Sequence, residues 1–549
     1  MIEVVRQAGG WFGAVVSPVL RALQSAATGH AVLDVDVEAL DGPYARTTFL
    51  RRLARAARDP DVRAILLRMV SPPGGWAAAQ DLRDTIVQIR TKKPVYAWVQ
   101  NPGNGLVYLA SACDRVFLLP TGDVPLLGVG AELTFVGALF ERLGIEPDLE
   151  AAGAYKSFGE PFTRTFASPA SQEAMGALVT DLQQQLVAGI AAGRGRTVDE
   201  VTAWCARAPL SAPDALEAGA VDQLAYPDEA LDWIAEKHGV PKKPVAFAAW
   251  ALRDRVVEAA EALSIGPKRI AVLHLAGGIA VDGPGSRISS RRVVPMIDKL
   301  AEDDRISAVV LHVDSPGGSA VASDLLWRAL GRLAAKKPLV AAYEDVSASG
   351  GVYFTAPAAE ILARAGTLTG SIGVFGGKLV LGGLRKVGIH HQPIEAAPNA
   401  TMFSASHPFT DAQRVTFKAS LQRFYDAFVQ RVADGRKREV AQIEPHCRGR
   451  VWTGTAALER GLIDQIGGLD AAVARASALA GVPEGRFLRV DLDGRPKTLA
   501  QRLMAGVARQ NPAARALLAF SGWSDGMSLI AEHPEQVMAM WPYEGNFGC

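Results

Sequence analysis

A hydroxyl becomes a nucleophile most readily where a strand ends, a glycine turn follows and a helix begins. Ser349 stands in such a place, in EDVSASGGVYFTAPA at 344–358. It follows an apolar run, precedes Gly350 and Gly351, and opens a helical pattern, so backbone N–H groups can surround its side chain. Upstream, Ser315-Pro316-Gly317-Gly318 closes another apolar run. Glycine there lets the backbone approach a ligand closely. The N–H of Gly318, or of Gly317, together with that of Gly350 is therefore expected to form an oxyanion hole. Taken alone, S-G-G is most often a plain turn. His312, next to the second turn, suggests a Ser–His pair, but no triad motif accompanies it and a strand-borne core or rim histidine is the simpler reading. Asp314 reads as a cap or loop-fixing carboxylate. His390 and His391 are adjacent rather than at helical spacing, so no metal site is expected.

The elements that position these turns come in two copies. RAILLRM at 63–69 followed by SPPGG answers SAVVLHV at 307–313 followed by SPGGS; TKKPVYAW at 91–98 answers AKKPLVAA at 335–342. LGIEPDLEAAG at 143–153 answers VGIHHQPIEAAP at 387–398, and APLSAPDALEAGAVDQL at 208–224 answers GRVWTGTAALERGLIDQI at 449–466. The offset stays between 242 and 245 residues throughout, so the chain is an internal repeat. Within each copy, short apolar runs alternate with helical patterns such as SDLLWRALGRLAAKK at 323–337. That rhythm is α/β, with buried parallel strands. Two tandem domains are expected at 31–224 and 269–480. A helical, charge-mixed linker joins them at 225–268, and a helical tail follows at 481–549.

The ordered motifs D-S-P-G-G-S, S-A-S-G-G-x-Y, T-L-T-G-S-I-G-V, G-A-Y-K and R-V-W-T-G-x-x-A together resemble the signal peptide peptidase A family, of the long, two-repeat protease IV type. The resemblance implies a ClpP/crotonase-type fold and a serine endopeptidase that uses a Ser–Lys dyad. It makes Ser349 the nucleophile, Lys156 of AAGAYKS the general base, and Ser371 of TGSIG the residue that holds the lysine amine. It further implies a homo-oligomer, a tetrameric ring, and cleaved signal peptides as substrate at the bacterial inner membrane, on its periplasmic side.

The repeat adds to this assignment. Ser349 maps onto Asn104 of the first copy, and Lys156 onto Thr401 of the second. One copy has kept the lysine and the other the serine, as though two sites had merged into one. A lysine can act as a base near neutral pH when burial lowers its pKa. No cofactor or metal is called for. An acyl-CoA hydratase or isomerase is the first rival, on shared fold and oxyanion geometry, but it needs a carboxylate acid/base. A non-catalytic membrane scaffold is the second.

Composition narrows the partners. With 549 residues, 49% hydrophobic and 21% charged, the chain has material for several cores. Its 58 basic and 57 acidic side chains argue against a nucleic-acid partner. Cys113, Cys205, Cys447 and Cys549 form no C-x-x-C pair, so neither a disulfide framework nor zinc is expected. The 14 uncharged residues between Arg6 and Arg21 are too few to span a bilayer. Residues 1–30 read as an amphipathic segment that lies on a membrane surface or on the protein's own core. The basic run 433–440 reads as a solvated helix face within reach of lipid headgroups.

Overall fold

The computed structural model describes residues 30–264, 268–282, 288–494 and 537–540. In the first copy six parallel strands lie in the order Gln223–Leu224, Arg115–Leu118, Val95–Val99, Val62–Met69, Ala31–Val37, Val245–Ala246. Continuous apolar strands suit a sheet covered on both faces, and Ile65, Leu66 and Leu67 have no exposed surface. Helix Trp76–Arg90 covers one face through Leu82 and Ile86. Helix Pro227–His238 covers the other, setting Ala230 and Ile234 against Val32, Leu66 and Phe117.

The second copy repeats the plan. Its main sheet runs Val451–Thr453, Leu368–Gly370, Leu339–Ala348, Ile306–Ser315, Arg269–Ala276, Leu488–Asp493, parallel except where Leu368–Gly370 meets Val451–Thr453. Helices Ala320–Ala334 and Leu469–Leu479 cover its two faces. The Ser319 side chain that ends SPGGS caps the first of these by accepting from the Ala322 N–H at 3.3 Å.

A third sheet joins the copies: Ile288–Ser289, Ile279–Ala280, Gly317–Ser319, Val537–Met540, Val374–Val380, Glu146–Ala152. Its last pair is antiparallel over seven residues, from Val374↔Ala152 to Val380↔Glu146. The symmetry breaks here. The segment of the second copy that answers Glu146–Ala152 has no strand over residues 389–395, and its Ile394 is 90% exposed.

Three expectations need correction. The tail is not helical where it is described: Leu488–Asp493 adds a strand to the second sheet and Val537–Met540 one to the third. LRVDLD alternates apolar and polar residues, the strand period. The apolar clusters at 499–507 and 517–520 lie outside the described residues. So does the segment 1–29. The linker holds helices Pro227–His238 and Phe247–Ser264, but its Val245–Ala246 extends the first sheet. Finally, Arg436 in the basic run is not solvated: its side chain is 3% exposed, pairs with Asp464, and donates to the Ala358 carbonyl at 2.8 Å. Cys113, Cys205 and Cys447 are free thiols.

Candidate active site

Ser349 ends strand Leu339–Ala348 and stands at the N-cap of helix Gly350–Thr355 with φ 53° and ψ −111°. A non-glycine residue there carries about 1–3 kcal/mol of backbone strain, tolerated when the surroundings over-determine it. The surroundings do so: the Ser349 N–H donates to the Gly370 carbonyl at 2.8 Å, and the Ser349 carbonyl accepts from the Tyr353 N–H at 3.0 Å. Next to it there is no room for side chains. A Cβ on Gly350 would meet Ser323 Oγ at 2.6 Å, and one on Gly351 would meet Ser347 Oγ at 2.9 Å.

Lys156 reaches Ser349 because of the antiparallel pairing between copies. Lys156 lies four positions beyond Ala152, and Ser371 three positions before Val374. Since Ala152 pairs with Val374, both residues leave the same end of the ladder. The turn 448–450 laces them together. The Tyr155 N–H donates to the Arg448 carbonyl at 2.8 Å, the Gly449 N–H to the Ile372 carbonyl at 2.7 Å, and the Ser371 N–H to the Arg450 carbonyl at 2.6 Å.

The result is a buried amine with three oxygen neighbours. Lys156 Nζ lies 2.8 Å from Ser349 Oγ, 2.9 Å from Ser371 Oγ and 2.9 Å from the Ser371 carbonyl oxygen. Lys156 is 6% exposed and Ser349 and Ser371 are wholly buried. Burial alone holds the amine well below its usual pKa of 10.5, with no carboxylate among the described residues opposing it. A neutral amine has two N–H donors and one lone pair. Donation to the two Ser371 oxygens leaves the lone pair for the Ser349 hydroxyl proton.

Of the glycines, Gly317 is already engaged, since its N–H donates to Ser315 Oγ at 3.2 Å. Gly350 opens the helix after Ser349, and Gly318 pairs with Ile279 on one side and Ala539 on the other. Gly318 has φ +152° and lies so close to strand Ile279–Ala280 that a Cβ would meet the Ile279 N at 2.6 Å. Beside it runs Val537–Met540, antiparallel to both neighbours, with Gly317↔Met540 and Gly318↔Ala539 on one side and Phe375↔Met538 on the other. A four-residue extended segment thus fits between the glycine turn and the strand that follows Ser371.

The remaining candidates fall elsewhere. His312 Nδ1 contacts His274 Nδ1 at 2.9 Å, and His274 Nε2 meets Asp491 at 3.0 Å; burial holds both imidazoles below their usual pKa. Asp314 fixes backbone, accepting from the Val346 N–H at 3.2 Å. Asn104 exchanges hydrogen bonds with Gly128, at 2.7 Å and 3.1 Å. Thr401 bonds Glu395 and, at 3.0 Å, His407 Nε2. The relic pair is therefore not assembled. Among the described residues no cluster could hold a metal, and no helix is long and apolar enough to cross a membrane.

The profile of Peptidase family S49 matches residues 88–241 and 331–483, more than half of the chain. This chain belongs to that family. Lys156 falls in the first span and Ser349 and Ser371 in the second, whereas Gly317 and Gly318 lie in neither. Relatives include the chloroplastic serine protease SPPA of Arabidopsis thaliana, 30% identical over 462 residues, 82% of this chain and 68% of that one. Protease 4 of Salmonella typhi is 32% identical over 400 residues, 71% of this chain and 64% of its own length. Protease 4 of Haemophilus influenzae is 26% identical over 448 residues, 78% and 72% of the two chains. Among solved structures, a ClpP1 mutant from Listeria monocytogenes aligns with 37% of this chain at 13% identity and a TM-score of 0.26. That likeness adds nothing to the family assignment. The chain is a serine peptidase of two S49 repeats with an α/β fold, which removes the hydratase/isomerase rival.

Proposed function

We propose that this peptidase cleaves extended, apolar peptides with a Ser349–Lys156 dyad, and that its substrates are signal peptides left at the inner membrane after secretion. The observation that carries the dyad is the buried Lys156 amine, 2.8 Å from Ser349 Oγ and without a charged partner among the described residues.

In this reading the neutral amine takes the hydroxyl proton as Ser349 Oγ attacks the substrate carbonyl. The oxyanion accepts hydrogen bonds from the Gly318 and Gly350 N–H groups. When the C–N bond breaks, the protonated lysine gives its proton to the leaving amine. Water then enters, loses a proton to Lys156 and hydrolyses the acyl-serine ester. Ser371 keeps the amine in place. The extended Val537–Met540, held between Gly317–Ser319 and Val374–Val380, supports substrate binding by strand addition in its place, in which main-chain hydrogen bonds supply affinity. Action at the membrane surface on the periplasmic side, and assembly into a homotetramer, belong to the same proposal.

A fluorophosphonate probe followed by peptide mapping tests the nucleophile. The adduct is expected on Ser349, with none in Lys156→Ala; labelling of another serine sinks the assignment.

A further inference from the structure

The nucleophile strand and the strand that leads to the glycine turn change register just before both reach the site. Val313 pairs with Tyr343, yet Ser315 pairs with Ser347. One residue, Asp314, therefore faces three: Glu344, Asp345 and Val346. This is a bulge, a device that re-aims the residues beyond it, and Ser349 lies three positions past its end.

Its two carboxylates both reach into the first copy. Glu344 takes a forked pair of hydrogen bonds from Arg46 of helix Gly42–Ala56, Nε to Oε1 at 2.5 Å and Nη2 to Oε2 at 2.7 Å. Asp345 accepts from the Gly75 N–H at 2.8 Å and the Ala78 N–H at 2.9 Å, at the N-terminus of helix Trp76–Arg90. Arg46 Nη2 also donates to Asp314 at 2.8 Å, while Asp314 holds the Val346 N–H from across the bulge. One guanidinium thus ties together the residue opposite the bulge and the residue that begins it.

Gly74 and Gly75 belong to SPPGG, the first copy's counterpart of the oxyanion turn. Here they make room: a Cβ on Gly74 would meet Arg46 Nη1 at 2.9 Å, and one on Gly75 the Asp345 carboxylate at 2.8–3.0 Å.

We propose that Arg46, seated on the SPPGG turn of the lysine-bearing copy, is a positioning residue that fixes the bulge at 344–346 and so sets where Ser349 stands relative to Gly318 and Lys156. This rests on the dyad reading above. The first copy then supplies two parts to the site, the base and the clamp, and its glycine turn has exchanged oxyanion binding for docking.

Within the cluster the Arg46 and Glu344 side chains are buried, while those of Asp314 and Asp345 are 21% and 16% exposed. Burial pushes Glu344 up to about 8 and Asp314 up to about 6, against the pull of Arg46. His312 faces Arg46 from strand Ile306–Ser315, backed by His274, Asp491 and Arg489. On the other side Asp81 and Asp84 are paired with Arg364. A cavity of about 180 Å³ is lined by Arg46, His312 and Glu344. Arg46 holds both Glu344 oxygens in its fork and one Asp314 oxygen beside them, while the N–H groups at the helix N-terminus hold Asp345. Without Arg46 the carboxylates have no cation, and their ionisation as pH rises must open the bulge.

The test is steady-state peptide cleavage across pH in wild type, Arg46→Gln, Arg46→Gln with Glu344→Gln, and Gly75→Ala. Arg46→Gln is expected to lower kcat about 10- to 100-fold with KM little changed, the size of effect that follows an ångström of misplacement. Its profile should gain a falling limb above neutral pH that wild type lacks. Adding Glu344→Gln should remove that limb and restore part of kcat. A wild-type profile in Arg46→Gln, or a double variant no better than the single, overturns the proposal. If Arg46→Gln does not fold, Gly75→Ala decides, because it keeps the arginine and displaces Asp345; unchanged kcat there overturns it too. Failure of the dyad reading would look different, since wild type itself would then not label at Ser349.

Discussion

Gly449→Ala should disable the enzyme without replacing any residue that reacts. Gly449 has φ +81°, and a Cβ built on it would lie 2.5 Å from the Lys156 N, 2.7 Å from its Cα and 2.7 Å from its Cβ. Ordinary contacts for such an atom begin at 3.4 Å, so the lysine backbone must retreat by up to 3.4 − 2.5 = 0.9 Å. The neighbours cannot absorb this, because Tyr155 and Ser371 both hydrogen-bond the same turn. The Lys156–Ser349 distance of 2.8 Å therefore lengthens beyond hydrogen-bond range. A displacement of that size lowers kcat on the order of 100-fold, and left-handed strain on alanine costs a further 1–2 kcal/mol, roughly, of stability. Gly481→Ala is the control, since Gly481 has φ +63° but nothing within 4 Å of its Cβ position. The assay is kcat on a fluorogenic peptide beside thermal melting. Gly481→Ala should lose stability and keep kcat. Equal kcat in wild type and Gly449→Ala would refute the claim that Lys156 placement governs the reaction.

Other expectations follow from the same site. Because burial lowers the Lys156 pKa, the neutral base grows as pH rises through that lowered value, so kcat/KM should climb through it and level before the usual lysine range; a flat profile with chemistry limiting contradicts it. The unfolded chain binds this proton more tightly than the folded one, so stability also rises with pH between the lowered value and 10.5. Lys156→Met should therefore raise the melting temperature at neutral pH by a few degrees while abolishing cleavage; a lower Tm would count against a desolvated amine. Asn104→Ala and Thr401→Ala should each retain most activity, as their partners are Gly128, Glu395 and His407 and not the dyad. Removal of residues 537–549 should speed Ser349 labelling, since Val537–Met540 pairs with Gly317–Ser319 beside it; an unchanged rate would mean that this strand leaves the site open.

Much of the site was legible because it is local. Ser349, Ser371 and the glycines sit in motifs whose turn chemistry can be read residue by residue, and the repeat offset pointed to Lys156 as the complementary half. The geometry that unites them was not legible. Seven paired residues between Glu146–Ala152 and Val374–Val380 join segments more than two hundred positions apart, and nothing in either marks the other as partner. Arg46 was missed for the same reason: Asp314 and Glu344 stand visibly before their turns, but their cation lies 268 and 298 residues upstream. The sequence left Gly317 and Gly318 as alternative oxyanion donors, and the hydrogen bond from the Gly317 N–H to Ser315 Oγ is not marked in it. In the tail, LRVDLD carries a strand alternation that flanking helical patterns obscured. VMAM at 537–540 is too short and uniformly apolar to have a period at all. Arg436 sat in a run of charges, where composition suggests solvent and only folding reveals Asp464.

The central claim is that Ser349 and Lys156 of one chain form a single dyad. Its most direct test is cleavage of one apolar peptide by Ser349→Ala, by Lys156→Ala and by the two variants co-assembled. All three preparations should fold and none should cleave, because each subunit in the mixture still lacks one half of its own pair. Wild-type cleavage by Lys156→Ala, or activity that returns on mixing, would contradict it.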